Sequence, residues 1–212
     1  MKLNDSCWVA IYSASLGAVF ILSSTLSWRM NLFVKFMSIF HFLEFFSTAQ
    51  YNPTRTTSGS FLIPHSTEHT WMVCASILEY SLVCDLLPKP LWTSEVGFIA
   101  VVFGQFMRTY AMKSAKASFN HQVQKAKADD HILITSGAYQ ISRHPSYLGF
   151  YWWSIGTQIL LGNYLCCILY AATLTEFFRA RIHREEKFLI QFFGDDYVQY
   201  RAKVGTLIPF VK

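Results

Sequence analysis

Two short polar segments hold most of the residues in this chain that could do chemistry. The first is Gly137-Ala138-Tyr139-Gln140-Ile141-Ser142-Arg143-His144-Pro145-Ser146-Tyr147-Leu148-Gly149, at the mouth of an apolar hairpin. The second, Arg181-Ile182-His183-Arg184-Glu185-Glu186, lies at the far end of the same hairpin. If the hairpin folds back, both segments meet at one membrane surface, where a water-soluble reagent can meet a lipid-borne substrate. Arg181 and Glu185 are four apart and share one helix face. A planar guanidinium can grip a carboxylate through two parallel N–H groups. The plainer reading is a surface ion pair snorkelling at the membrane edge. Pro145 fixes its own φ, biases His144 away from helix, and can open a helix at its first turn. Tyr139 and Tyr147 complete an aromatic patch of a kind common at membrane interfaces.

Other constellations carry less. His65-Ser66-Thr67-Glu68-His69 matches an H-x-x-E-H zinc pattern, but Ser66 or Thr67 as a helix cap, with Glu68 in the first turn, explains it better. No metal is therefore expected. His41 and Glu44 lie one turn apart inside an apolar run, where ionisable groups usually face the bundle interior and pair. No dinucleotide, phosphate-loop or hydrolase-elbow motif occurs. Cys7, Cys74, Cys84, Cys166 and Cys167 form no C-x-x-C and read as reduced, buried thiols.

The elements that position these residues follow from composition. The chain is 52% hydrophobic and 15% charged, against about 25% charged in soluble domains. Its charges cluster between long apolar runs. A helix needs roughly 20 apolar residues to cross the hydrocarbon core. The runs Trp8–Leu26, Leu32–Phe46, Trp71–Leu87, Val96–Met112, Leu148–Leu161 and Tyr164–Phe178 predict an all-α, polytopic membrane protein of about six spans with a C-terminal cytoplasmic catalytic region. One domain, 1–212, is expected, with two N-terminal spans and a linker over 1–68 and a four-span core over 69–212. No cleaved leader is expected. Lys113, Lys116, Lys125, Lys127 and Arg143 before the hairpin, and Arg179, Arg181, Arg184, Lys187, Arg201, Lys203 and Lys212 after it, place both flanks in the cytoplasm. The net charge of +5 then reports topology and headgroup contact, with no role for nucleic acid. Gly162-Asn163 should turn the hairpin, and one helix should run from Tyr164 to about Phe193, with Gly194 as its C-cap.

Beyond these motifs, Ser118-Phe119-Asn120-His121-Gln122-Val123-Gln124, His131-Ile132-Leu133-Ile134, Gly156-Thr157-Gln158 and Phe193-Gly194-Asp195-Asp196-Tyr197 occur in the same order. The ordered set resembles the isoprenylcysteine carboxyl methyltransferase family in its fungal and animal form. The N-terminal half resembles it in span pattern only. The resemblance implies S-adenosylmethionine as methyl donor, held by Gln124, His131, Leu133, Ile134, Tyr139, His144, Pro145, Ser146, Tyr147 and Glu185. It makes Arg181 the ligand of the substrate carboxylate, and Arg181 with Glu185 the catalytic pair. It implies methyl esterification of the prenylated C-terminal cysteine of CaaX proteins, such as small GTPases and lipidated peptides. The setting would be the endoplasmic reticulum membrane, with lipid around the protein and the active site facing the cytoplasm. The oligomeric state stays open.

That chemistry suits these residues. An α-carboxyl has a pKa near 3.5, so the nucleophile is ionised at neutral pH without a general base. Catalysis then consists of holding two reactants together and excluding water. Two relatives of similar pattern compete. A phospholipid N-methyltransferase would need a base for its protonated amine. An NADPH-dependent sterol reductase would need a second basic cluster for the dinucleotide. A transporter or lipid scaffold built on His41 and Glu44 would be expected to show inverted repeats, and none is visible.

Overall fold

Long apolar runs punctuated by turn-formers become helices wherever a cap starts or stops them, and this chain follows that rule. The computed structural model describes residues 4–63, 66–83, 89–124, 126–127 and 132–212. Among these, eight α-helices form: α1 Asp5–Leu22, α2 Trp28–Tyr51, α3 Thr67–Val83, α4 Leu91–Ala115, α5 Ala138–Ile141, α6 Pro145–Leu161, α7 Tyr164–Phe193 and α8 Asp195–Lys203. No strand forms among the described residues. The six apolar runs fall on α1–α4, α6 and α7; the end of the third, beyond Val83, lies outside the described residues. By length and composition, Asp5–Thr25 and Trp28–Tyr51 are apolar enough to cross a membrane.

The caps are those the sequence advertises. Ser66 Oγ accepts from the His69 amide at 3.1 Å and starts α3. Pro145 is the first residue of α6, and Gly162, left-handed at φ 71°, ends it. α7 then runs unbroken for 30 residues to Gly194 at φ 57°. Its N-terminus borrows a cap from another helix. Glu79 on α3 accepts from the amides of Leu165 (2.9 Å) and Cys166 (2.7 Å), satisfying donors that a helix start leaves open.

The centre of the bundle is the contact between α4 and α6. Gly97 and Gly104 on one helix meet Gly149 and Gly156 on the other. A Cβ on Gly149 would stand 2.6 Å from the Gly104 carbonyl and 2.7 Å from the Arg108 amide. Close backbone approach through small residues is how helices pack where lipid removes the hydrophobic drive. Here it sets Arg108 beside the first turn of α6. Phe40 of α2, Trp153 of α6 and Phe178 of α7 fill the surrounding core. At the opposite end of the bundle, buried Arg29 donates to Thr93 Oγ1 and to the carbonyls of Leu160, Lys89 and Pro90. By contrast, α1 has no buried residue. An apolar helix with no buried face belongs against lipid.

Candidate active site

α6 and α7 bring the two polar segments together, as a folded-back hairpin requires. Between them lies a cavity of about 340 Å³, within the usual size of a small-molecule site. Leu133, Ile134, Tyr139, His144, Pro145, Ser146, Tyr147, Arg181 and Glu185 all line it. Gln124 does not. It lines a small recess of about 50 Å³ that shares Glu185 with the main cavity. Its side chain donates to the Gln122 carbonyl at 3.1 Å. His131 lies outside the described residues, as does His65 of the zinc-like pattern. Among the described residues no group of His, Cys, Asp and Glu is arranged to hold a metal.

Tyr147 is the hinge pin of the site. Its hydroxyl donates to Glu185 Oε2 at 2.6 Å and accepts from Arg181 Nε at 2.8 Å. Its ring stacks on His144, with centroids 5.4 Å apart and planes 4° from parallel. The Arg181 guanidinium sits 5.1 Å above the Tyr147 ring and 5.8 Å from that of Phe177. Arg181 Nη2 also donates to the His121 carbonyl at 2.5 Å. Arg181 and Glu185 are thus not a direct pair. A tyrosine stands between them and fixes both, so one positive and one negative group face the same cavity without neutralising each other.

Glu186 has a different task. Its Oε1 accepts from Arg143 Nε at 2.5 Å and lies 3.2 Å from His144 Nε2; Oε2 lies 3.4 Å from Arg201. Burial would raise this carboxyl, but the hydrogen bonds and charges of His144 and Arg143 hold it down at about 2. The chain after α8 clasps the same loop. The Gly205 carbonyl accepts from the Arg143 amide at 3.0 Å, and the Thr206 carbonyl from Ser142 Oγ at 2.7 Å. Tyr200 Oη donates to the Tyr139 carbonyl at 2.6 Å. The Tyr139 phenol is pushed up by burial and by Glu185, and stays protonated.

Several lining residues escaped the sequence reading. Arg108 of α4 is buried in the cavity wall, bound in bidentate fashion by Glu44 of α2 and donating to Ser146 Oγ at 3.1 Å. Glu44 does face the interior, but its partner is Arg108; His41 bonds the Phe61 carbonyl instead. A lone Arg inside an apolar run was the available signal. The His121 ring sits between Thr48 Oγ1 (3.4 Å) and Glu44 Oε2 (3.7 Å). Burial, countered by Glu44 and reinforced by Arg108 and Arg181, lowers it to about 4, so it is neutral at physiological pH.

This arrangement has relatives. Residues 96–191 match the model of the isoprenylcysteine carboxyl methyltransferase (ICMT) family. A Homo sapiens protein-S-isoprenylcysteine O-methyltransferase is 42% identical over 96% of this chain and 75% of its own length. The Saccharomyces cerevisiae protein of that name is 44% identical over 86% of this chain and 80% of its own. The chain belongs to the isoprenylcysteine carboxyl methyltransferase family. A solved structure of the eukaryotic intramembrane Ras methyltransferase ICMT superposes with a TM-score of 0.94 at 36% identity, covering 99% of this chain and 79% of that one. The likeness is therefore wider than the C-terminal motifs. The N-terminal half, expected to match this family in span pattern only, matches it in sequence as well.

Proposed function

We propose that this chain transfers a methyl group from S-adenosylmethionine to the C-terminal carboxylate of a prenylated cysteine. Family membership makes it a membrane carboxyl methyltransferase; the donor and the residue roles are the added reading. The observation that carries it is the chain Arg181–Tyr147–Glu185 in the cavity wall. Arg181 is held at Nε and at one terminal nitrogen, and among the described residues its other N–H groups have no protein partner. That leaves an edge for a carboxylate. Glu185, fixed by Tyr147, offers an acceptor for an ammonium such as the donor's amino-acid end carries. The aromatic walls of Tyr139, Tyr147 and Phe178 suit an apolar or cationic neighbour. When bound, S-adenosylmethionine supplies a methyl group activated on a sulfonium. Leu133, Ile134, Tyr139, His144, Pro145, Ser146, Tyr147 and Glu185 would hold it, with Gln124 at the adjoining recess; His131, which the resemblance adds, lies outside the described residues. Arg181 orients the carboxylate, and the buried walls exclude water.

The cavity follows α7 from Phe177 and Phe178, at the end of its apolar stretch, to Phe193 beyond its charged stretch. This supports a prenyl chain arriving from the bilayer and a cofactor arriving from the cytoplasm. We read α1–α4, α6 and the Tyr164–Phe178 stretch of α7 as six spans of the endoplasmic reticulum membrane, with the charged end of α7 and the site on the cytoplasmic face. Membranes carrying the protein, given labelled S-adenosylmethionine and N-acetyl-S-farnesyl-cysteine, should yield a base-labile methyl ester. Base-stable label would indicate N-methylation and overturn the reading. Arg181→Lys should lose most of the turnover, about 2–4 kcal/mol of transition-state stabilisation, because a point charge cannot reproduce the planar fork. Near-normal turnover at normal protein level would remove Arg181 from its role.

A further inference from the structure

We infer that Asn52, where α2 ends, is a positioning residue that aims the Arg181 guanidinium from across the bundle. The inference rests on Arg181 as the carboxylate ligand. Arg181 is a long side chain, and gripping a carboxylate at two points requires its plane to be fixed. The structure fixes it at two places. One is Tyr147 Oη, on the rigid first turn of α6. The other is the main-chain carbonyl of His121, in an irregular segment just after α4 and its short helical tail Lys116–Ser118. A loop carbonyl is a poor anchor unless something holds the loop.

α2 holds it. Asn52 is 5% exposed, and its Nδ2 donates to the Phe119 carbonyl at 3.2 Å and the Ala117 carbonyl at 3.4 Å. One turn earlier, Thr48 Oγ1 lies 3.4 Å from His121 Nε2. One turn earlier again, Glu44 flanks the same ring and binds Arg108. Phe119 packs edge-on against His121, with centroids 5.2 Å apart. Asn52 is itself fixed, its amide donating to the Thr48 carbonyl at 2.8 Å and its carbonyl accepting from the Arg55 amide at 3.1 Å. One face of α2 therefore runs through Asn52 and the 117–121 loop to the His121 carbonyl and Arg181. An amide is the fitting residue. It gives two donors to two carbonyls and carries no charge into a buried place.

A double-mutant cycle tests this. Asn52→Asp keeps the shape and removes both donors. The readout is the dissociation constant of fluorescently tagged N-acetyl-S-farnesyl-cysteine on the intact protein saturated with S-adenosylhomocysteine, so no turnover is needed. In the otherwise natural chain, Asn52→Asp should weaken binding by about tenfold, as expected when one charge-assisted hydrogen bond to the carboxylate is broken. In the Arg181→Lys background it should cost less than about twofold, because the plane it aims is gone. Equal losses in both backgrounds, or no loss in either, overturn the inference. If Arg181→Lys alone binds the probe normally, it is the carboxylate role that has failed. If Asn52→Asp no longer binds S-adenosylhomocysteine, Asn52→Ala, which removes both donors without adding a charge, takes its place in the same cycle with the same criterion.

Discussion

Glu185 and Glu186 are neighbours in sequence with opposite employment. Glu185 reaches the cavity through Tyr147, while Glu186 is consumed by Arg143, His144 and Arg201. Glu185→Gln should therefore weaken S-adenosylhomocysteine affinity about tenfold in calorimetry and leave thermal stability within a degree or two. Glu186→Gln should do the reverse, lowering the melting temperature first. The pH dependence follows from the depressed carboxyl. Glu186 titrates near its ordinary 4.5 when unfolded and at about 2 when folded. Its stabilisation is complete above about 4.5 and is lost as pH falls toward 2. An acid-denaturation midpoint that Glu186→Gln leaves unmoved would contradict this. At this scale the sequence was legible where chemistry is local. A four-residue spacing on one helix face placed Arg181 and Glu185, and a proline after His144 placed the start of α6. It was illegible where partners are far apart. Nothing near Arg108 names Glu44, which is 64 positions away, and nothing near Asn52 names Phe119.

Among the elements, α4 and α6 matter most because their backbones touch. Gly149→Ala would push a methyl group against the Gly104 carbonyl and the Arg108 amide, and overpacking of this kind costs about 1–3 kcal/mol. Because Arg108 also holds Ser146, the cost should appear as lost activity as well as lower stability. A Gly149→Ala protein with normal turnover and melting temperature would show that the helices can separate harmlessly. The run boundaries of α7 were readable to within a residue, since Asn163 and Gly194 mark its ends. The glycine seam was not. A seven-residue repeat of small residues means little until the facing helix is known, and α6 pairs with α4 across a long connection. The cap that Glu79 lends to α7 was equally hidden, because it belongs to a different helix.

At the scale of the whole molecule, the site is a clasp between segments that are distant in the chain. Residues 132–149 enter it from the loop and α6 and residues 181–200 from α7 and α8, while the end of α2 braces the segment whose His121 carbonyl accepts from Arg181. Bound S-adenosylhomocysteine should protect 132–149 and 181–200 together in hydrogen exchange. Protection confined to one of them would break the bridging reading. On the proposed topology of six spans with a cytoplasmic tail, Asn4 lies in the cytoplasm and its sequon should stay unmodified; a glycosidase-sensitive mass shift would show the count or orientation to be wrong. One consequence of the unbroken α7 remains. The same rod that holds the apolar stretch Tyr164–Phe178 carries Arg181 and Glu185, with no loop between to absorb an error. Each residue added between Tyr164 and Arg181 advances the angular phase of everything after it by about 100° and lifts it about 1.5 Å. A single insertion would swing the arginine out of the cavity, and only steps near a whole number of turns would restore its bearing, at a changed depth. On the proposed six-span topology, bilayer thickness and catalytic aim are thus written in one register, and adaptation to a thicker or thinner membrane must be made in helices such as α1, which lines no part of the cavity.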